Sequence, residues 1–559
     1  MGEKYDFCAL LTKYNKGSRN GYDSFVSQLA DRKIEDGILL KCLTSLQPCV
    51  TQLDKENHQA LVSVLLRLNW CSKPPAVIEV YQSIIITLVS THTDFLKPCL
   101  KMIISVFVPD LKKKDGKVAV NEEMTQSHSR AFIQAHTLLR AITQIVPMAA
   151  SPGVLVPLLG ELSPWQGRHV YEQECYVRNL IQATYYLPTL RQNIMEHIIH
   201  KMINYDIQAP RSKLVETISD DSQESGIFNM DETSSCHEAA EKLDIMMVLL
   251  YEYIKSVCFN NGELNWECTK RFYREMLYVF EKIILPTYAC SHTQFVMFYL
   301  ASLKTELCDG FLDYLWKRVQ NPNVHSVYRQ TAVTYMGSLL ARAKFINIRT
   351  VMRTLELMMT WAHNYTQTCL DSVMADIKHH GPFYSVCQAV FYVFAFRQKE
   401  MFETRKGLKW AENLQIQHLI QSRLNPLKVC LPLIVKTFAS ICRQHQLAFC
   451  DHIIQQNARS FIPVVSDGTQ KVLEAYFPFD PYLLDRSKHY IEDQYRTYDR
   501  CVDFEDEDSA EEEDDDEMFT EDVMSSKHVA MATAPGSYVD KSNVDLMSYG
   551  TSPGFIDMT

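Results

Sequence analysis

An all-α fold, a HEAT-repeat-like helical solenoid with disordered loops and an acidic C-terminal tail, is what this 559-residue sequence predicts. Three observations lead there. Glycine (18) and proline (21) are scarce for the length, so tight turns are few. Apolar residues recur at helical spacing between short polar turns, while alternating segments bounded by Asn-Gly or Asp-Gly are nearly absent. The chain also exceeds the ~250–300 residues at which one hydrophobic core stops growing, so a repeat array or several domains are required.

The elements follow in order. From Tyr22 to about Tyr205 the pattern reads as consecutive helices, within N-terminal helical repeats spanning 1–207. Asp94–Val108 is typical: Asp94 is placed to cap, Leu96, Cys99, Leu100, Ile103, Ile104 and Phe107 share a face, and Pro109 stops the helix. Further helices are expected at Arg140–Val146, Tyr171–Leu187 and Leu190–Ile203, with Lys112–Gln126 as a loop. The polar segment 208–237, containing SDDSQES and MDETSS, reads as a disordered insert. Helical repeats resume over 238–484. A terminal helix is expected within 485–502, over Arg486–Arg500, followed by an acidic, disordered tail over 503–559.

Four segments repeat a motif of proline early in an apolar helix: Phe95–Leu100, Val154–Leu159, Tyr186–Leu190 and Val429–Ile434. Such degenerate units suit repeats of about 40–47 residues. A compact multi-helix bundle with the same amphipathic pattern is the alternative.

The net charge of −11 is uneven. Asp503–Asp522 carries fourteen acidic residues and no basic one, which leaves the remainder near +3. Seventeen scattered cysteines without a C-x-x-C pair read as reduced core thiols of a cytosolic or nuclear protein. The first residues, interrupted by Glu3, Lys4 and Asp6, do not read as a secretory leader, and no apolar run reaches the ~18 residues of a membrane span.

No catalytic constellation emerges. Phosphate-cradling glycine motifs and nucleophile elbows are missing, so no cofactor and no enzymatic activity are expected. His237-Glu238 begins like a zincin helix, but Glu241 stands where the second histidine is needed. His197 and His200 could share a helix face as metal ligands; ordinary helix positions, with His200 near a C-terminus, explain them as well. His379-His380 reads as a helix end, with Gly381 as C-cap and Pro382 opening the next helix.

Two features are candidate contacts. Arg342, Lys344, Arg349 and Arg353 form either helix-end and solvated charges or a basic ridge facing DNA or an acidic protein surface. Ser151-Pro152 is a standard helix start and also a proline-directed phosphorylation site; Ser552-Pro553 is another, and Ser509 precedes an acidic run favoured by acidophilic kinases. By contrast, Phe383–Arg397 is apolar nearly all round and reads as core.

Six phrases occur in order: LTKYNKG (Leu11–Gly17), HTQFVMFYL (His292–Leu300), LLARAKFI (Leu339–Ile346), HGPFYSVCQAVFYVFAFR (His380–Arg397), NPLKVCLPLIV (Asn425–Val435) and FPFDPYLL (Phe477–Leu484). Together they resemble the RNA polymerase I-specific transcription initiation factor IA family over roughly Leu10–Leu484. The resemblance implies an elongated HEAT-repeat protein of the nucleus and nucleolus. Such a protein binds free polymerase I near its stalk, bridges it to a promoter-bound core or selectivity factor, and is controlled by phosphorylation. It places Ser151 at a regulatory Ser/Thr-Pro position, and members that self-associate make a homodimer a further expected association; weak DNA contact is expected from the basic ridge, not from the resemblance. The sequence departs from the family in lacking a Pro/Ser-containing N-terminal extension and in carrying basic LKKKDGK (Leu111–Lys117) where an acidic loop is expected. A helical-solenoid scaffold or nuclear transport receptor would share the architecture but lack the ordered phrases.

Overall fold

The structure, a computed structural model, describes residues 7–498 except 32, 112–119, 212, 215–229, 288–289, 369–376, 460–472 and 474–475. Within them α-helices follow one another from Phe7–Asn15 to Asp451–Arg459, mostly joined by short turns. Most helices pack on their sequence neighbours or next-but-one neighbours, the contact pattern of a helical solenoid, while Ile377–Phe402 also reaches forward to Pro432–Gln444. No described helix is long and apolar enough to cross a membrane.

Local chemistry sets the helix starts. Asn121 accepts a hydrogen bond from the Met124 amide at 2.9 Å and opens Glu122–Ile145. The expected loop over Lys112–Gln126 therefore ends early, and Arg140–Val146 is the last turn of this long helix, not a separate one. His169 Nδ1 accepts from the Tyr171 amide, while Glu172 accepts from the His169 amide; this reciprocal cap starts Val170–Thr184. Arg191–Gln208 runs beyond the expected Ile203, so His200 is an exposed mid-helix residue and not a helix end.

The stripe at Leu96–Ser105 is buried as its spacing predicts, but a 3-10 turn at Thr93–Phe95 precedes it and takes up Asp94, which does not cap. Three of the four repeated prolines sit at or near an element start. Pro157 does not: it lies inside Pro152–Glu161, where its missing N–H leaves a gap in the helical ladder. The expected disordered stretch 208–237 is helical from Met230 onward, as the start of Met230–Cys258; 215–229 lies outside the described residues. A small hairpin pairs Phe259–Asn260 with Glu263–Leu264, and Asn261 and Gly262 take the positive φ values (52° and 85°) that its tight turn demands.

The densest packing joins Ser326–Arg342 to Thr305–Gln320 on one side and Ile377–Phe402 on another. At the second contact a Cβ on Gly337 would stand 2.8 Å from Ala389 Cβ, so the two helix backbones approach as only glycine permits. Ile377–Phe402 breaks its helical geometry at His380 (φ −113°, ψ 17°), just before Gly381-Pro382. Beyond the break, Phe383–Ala395 is buried on every side.

Two other expectations change. Arg486–Arg500 is not an α-helix where described: two 3-10 turns, Lys488–Tyr490 and Glu492–Gln494, lead into an extended stretch bridged to Ala343 through Tyr495. Not every cysteine is a free thiol either, because Cys8 and Cys49 form a disulfide between the first helix and a 3-10 turn.

Candidate partner-binding surfaces

The phrase FPFDPYLL closes the core. Phe477 stacks on Tyr392 at 4.0 Å, and Phe479 inserts among Phe295, Phe298 and Tyr335, with ring centroids 5.3–5.7 Å away. Asp480 follows into full burial, 3.5 Å from Arg211 and 3.7 Å from Arg342. Burial pushes its carboxyl up to about 6 against the pull of the two guanidiniums.

The chain then runs over the surface as a strap, and carboxylates fix it. Asp244 accepts from the amides of Arg486 (2.7 Å) and Ser487 (2.9 Å), and Arg486 reaches Glu241. The strap crosses Ser326–Arg342 where the Lys344 amide donates to Gln494 O (2.9 Å) and the Arg496 amide to Arg342 O (2.7 Å). A parallel device anchors His292–Leu300: Asp206 accepts from the amides of His292 and Thr293. Burial opposes charge on Asp206, yet the His292 imidazole beside it, and after it the two amides, outweigh burial and hold the carboxyl below the usual range.

This arrangement divides the basic ridge. Arg342 is 0% exposed, beneath the strap, with its guanidinium 4.5 Å from the Phe396 ring centroid and 5.4 Å from that of Tyr495. It is a core cation and no contact residue, a correction to the sequence expectation. Lys344, Arg349 and Arg353 are exposed. Arg349 and Arg353 stand one turn apart on Ile348–Thr368, and Leu357, 51% exposed, continues the stripe by another turn.

Ser151 occupies the N-cap of Pro152–Glu161 with an extended backbone (φ −78°, ψ 143°), as expected. Its hydroxyl makes no capping hydrogen bond, so helix initiation rests on Pro152 and on the backbone. Just before it, Ile145 and Met148 are 52% and 55% exposed. Neither was singled out in the sequence: Ile145 falls inside the expected helix Arg140–Val146 and Met148 lies just past it, in the 3-10 turn Pro147–Ala150. Ser509 and Ser552 lie outside the described residues.

The histidines take structural places. His197 is paired with the Tyr176 hydroxyl at 3.3 Å, and burial beside Lys201 pushes its imidazole down to about 4. Among the described residues no group of three or more His, Cys, Asp or Glu is placed to hold a metal ion. Glu241, where a zincin would need histidine, is an ion-pair partner of Arg486.

Comparison with known proteins agrees with the ordered phrases. The family described as "RNA polymerase I specific transcription initiation factor RRN3" matches residues 6–503. The chain is similar to the RNA polymerase I-specific transcription initiation factor RRN3 of Mus musculus, with 37% identity over 88% of this chain and 80% of the relative. It is also similar to the corresponding factor of Schizosaccharomyces pombe, 26% identical over 91% of this chain and 88% of that one. In fold it is similar to the crystal structure of RNA polymerase I transcription initiation factor Rrn3, with a TM-score of 0.70 and 21% identity, covering 89% of this chain and 98% of the other. With a family match running from the first described helix past the strap, the chain belongs to the RRN3 family of RNA polymerase I-specific transcription initiation factors.

Proposed function

We infer that this chain is an RNA polymerase I initiation factor that acts by surface complementarity and performs no chemistry of its own. It binds free polymerase I near the stalk and bridges it to a promoter-bound core or selectivity factor, so that ribosomal RNA genes are transcribed in the nucleolus. The observation that carries the reading is the family match over 6–503. At residue level, the Ser151 neighbourhood supports a regulated docking surface.

Ile145 and Met148 present apolar area beside a serine hydroxyl that the helix does not use as a cap. A phosphate there would be tolerated by the helix, because the N-terminal dipole and open amides favour an anion. It would place close to two negative charges against an apolar contact, and a partner closing over that contact would have to desolvate them. Binding would weaken while the fold stayed intact. Ser509 and Ser552 are further proposed sites of modification. Lys344, Arg349 and Arg353 offer a basic contact to an acidic polymerase surface or, weakly, to DNA phosphates. A homodimer using the same surface would compete with polymerase.

Affinity purification of the full chain from nuclear extract tests this reading. Polymerase I subunits, including those of the stalk, are expected in the bound fraction. Recovery of nuclear pore proteins or transport cargo in their place would favour a transport receptor or scaffold and overturn it.

A further inference from the structure

The strap delivers the end of the described chain to one place. Tyr495 bridges Ala343, the Lys344 amide donates to Gln494 O, and Tyr498 packs on Phe396 with centroids 5.0 Å apart. The antiparallel pairing carries the strap past Lys344 at Gln494, the near end of the Lys344, Arg349 and Arg353 stretch, and it ends four residues further on, against Phe396. Within the next five residues begins Asp503–Asp522, with its fourteen carboxylates and no cation. At ~3.3–3.6 Å per residue, the linker from Tyr498 to Asp503 reaches up to ~18 Å, and the tract itself could extend well beyond the two turns that separate Arg349 from Leu357.

The ridge is complementary. Lys344, Arg349 and Arg353 are exposed, and among the described residues none of the three makes an ion pair. The arginine nearest in sequence, Arg342, is already committed to Asp480 below the surface. A polyanion tethered next to unpaired surface cations meets them at an effective concentration of about a millimolar, without needing a folded interface.

We propose that the acidic tract Asp503–Asp522 docks in cis on the basic ridge formed by Lys344, Arg349 and Arg353, and shields it from other polyanions. The docking is electrostatic, multivalent and sensitive to salt over the range in which the screening length falls below ~10 Å. Phosphorylation of Ser509, inside the tract, adds charge and tightens the shield. A polymerase or promoter surface that takes the ridge must first displace the tract. That consequence rests on the function proposed above; the docking itself does not, and it is measured without polymerase.

The test uses the full chain and immobilised or free heparin as a polyanion probe. One variant converts every Asp and Glu of 503–522 to Asn or Gln. A second carries Arg349→Glu and Arg353→Glu, and a third combines both. If the tract–ridge contact has an intrinsic Kd on the order of 0.1 mM, shielding at millimolar effective concentration weakens heparin binding about tenfold. The neutralised tract should therefore raise heparin affinity about tenfold at low salt, and the gain should vanish in the combined variant. In parallel, zero-length carbodiimide coupling should join Lys344 to carboxylates of 503–522, with a yield independent of protein concentration and reduced at 0.5 M salt, where screening is strong. A gain of the same size with and without the ridge arginines would mean that the tract repels polyanions from the whole surface, and would overturn the proposal. So would coupling spread evenly over surface lysines.

Discussion

Replacing Arg342 with methionine separates a core role from a contact role more sharply than any other single change. The side chain is 0% exposed, lies 3.7 Å from Asp480, and sits over Phe396 and Tyr495. Removing one partner of a buried ion pair costs about 3–5 kcal/mol, because the remaining charge is stranded. Arg211, 3.5 Å from the same carboxylate, still offsets part of that charge, so the low end applies, about 3 kcal/mol. The loss falls on the strap that Asp480 begins. Two amides report it: Arg496, donating to Arg342 O at 2.7 Å, and Lys344, donating to Gln494 O at 2.9 Å. If their exchange is limited by local opening, 3 kcal/mol corresponds to roughly 150-fold faster hydrogen exchange. Arg349→Met is the control, expected to leave both amides unchanged. Protection of these amides within about threefold of the parent in Arg342→Met, together with weakened binding of a partner or DNA, would refute the assignment of Arg342 to the core.

Other outcomes follow from the same geometry. Ser151→Asp should weaken polymerase binding about tenfold or more while thermal stability changes by no more than about ±0.5 kcal/mol, the usual range for surface changes; unchanged affinity removes Ser151 from the regulatory surface. Gly337→Leu should destabilise the chain by about 1–3 kcal/mol or more, since even a Cβ there stands 2.8 Å from Ala389 Cβ; an unaltered melting temperature would show that the two helices can separate freely. His197, pushed down to about 4 by burial, binds a proton more readily in the unfolded chain. Its contribution is therefore fully present above about pH 6.5 and is lost as pH falls toward 4, by up to about 2–3 kcal/mol. In His197→Gln, the decline in stability over that interval should be correspondingly shallower; an identical pH profile would contradict it.

The helical architecture was legible because each repeat carries its own apolar stripe. Leu96, Cys99, Leu100, Ile103, Ile104 and Phe107 are buried where a 3.6-residue period places them. The all-round burial of Phe383–Ala395 was legible for the same reason, since no polar face interrupts it. What escaped depends on partners far along the chain. Arg342 reads as surface charge from its neighbours; its place in the core is set by Asp480 and the strap, more than a hundred residues later. The strap itself carries too little periodic apolar pattern to reveal a path, because backbone hydrogen bonds to Arg342 and Lys344 and the side chain of Asp244 hold it. Cys8 and Cys49 lie far apart in sequence and meet only once two elements pack. At Ser151 the helix start was legible, but the exposure of Ile145 and Met148 was not: apolar residues at a helix end are ordinarily covered, and only tertiary structure tells otherwise.

The central claim is that this chain works by holding RNA polymerase I on a surface that includes the Ser151 neighbourhood. Its most direct test is the affinity of the purified full chain for purified polymerase I, measured with and without the stalk subunits, for the parent and for Ser151→Asp. The account predicts binding of the parent to the complete enzyme, weakened about tenfold or more both by loss of the stalk and by the substitution. Binding of equal strength in all four combinations would contradict it.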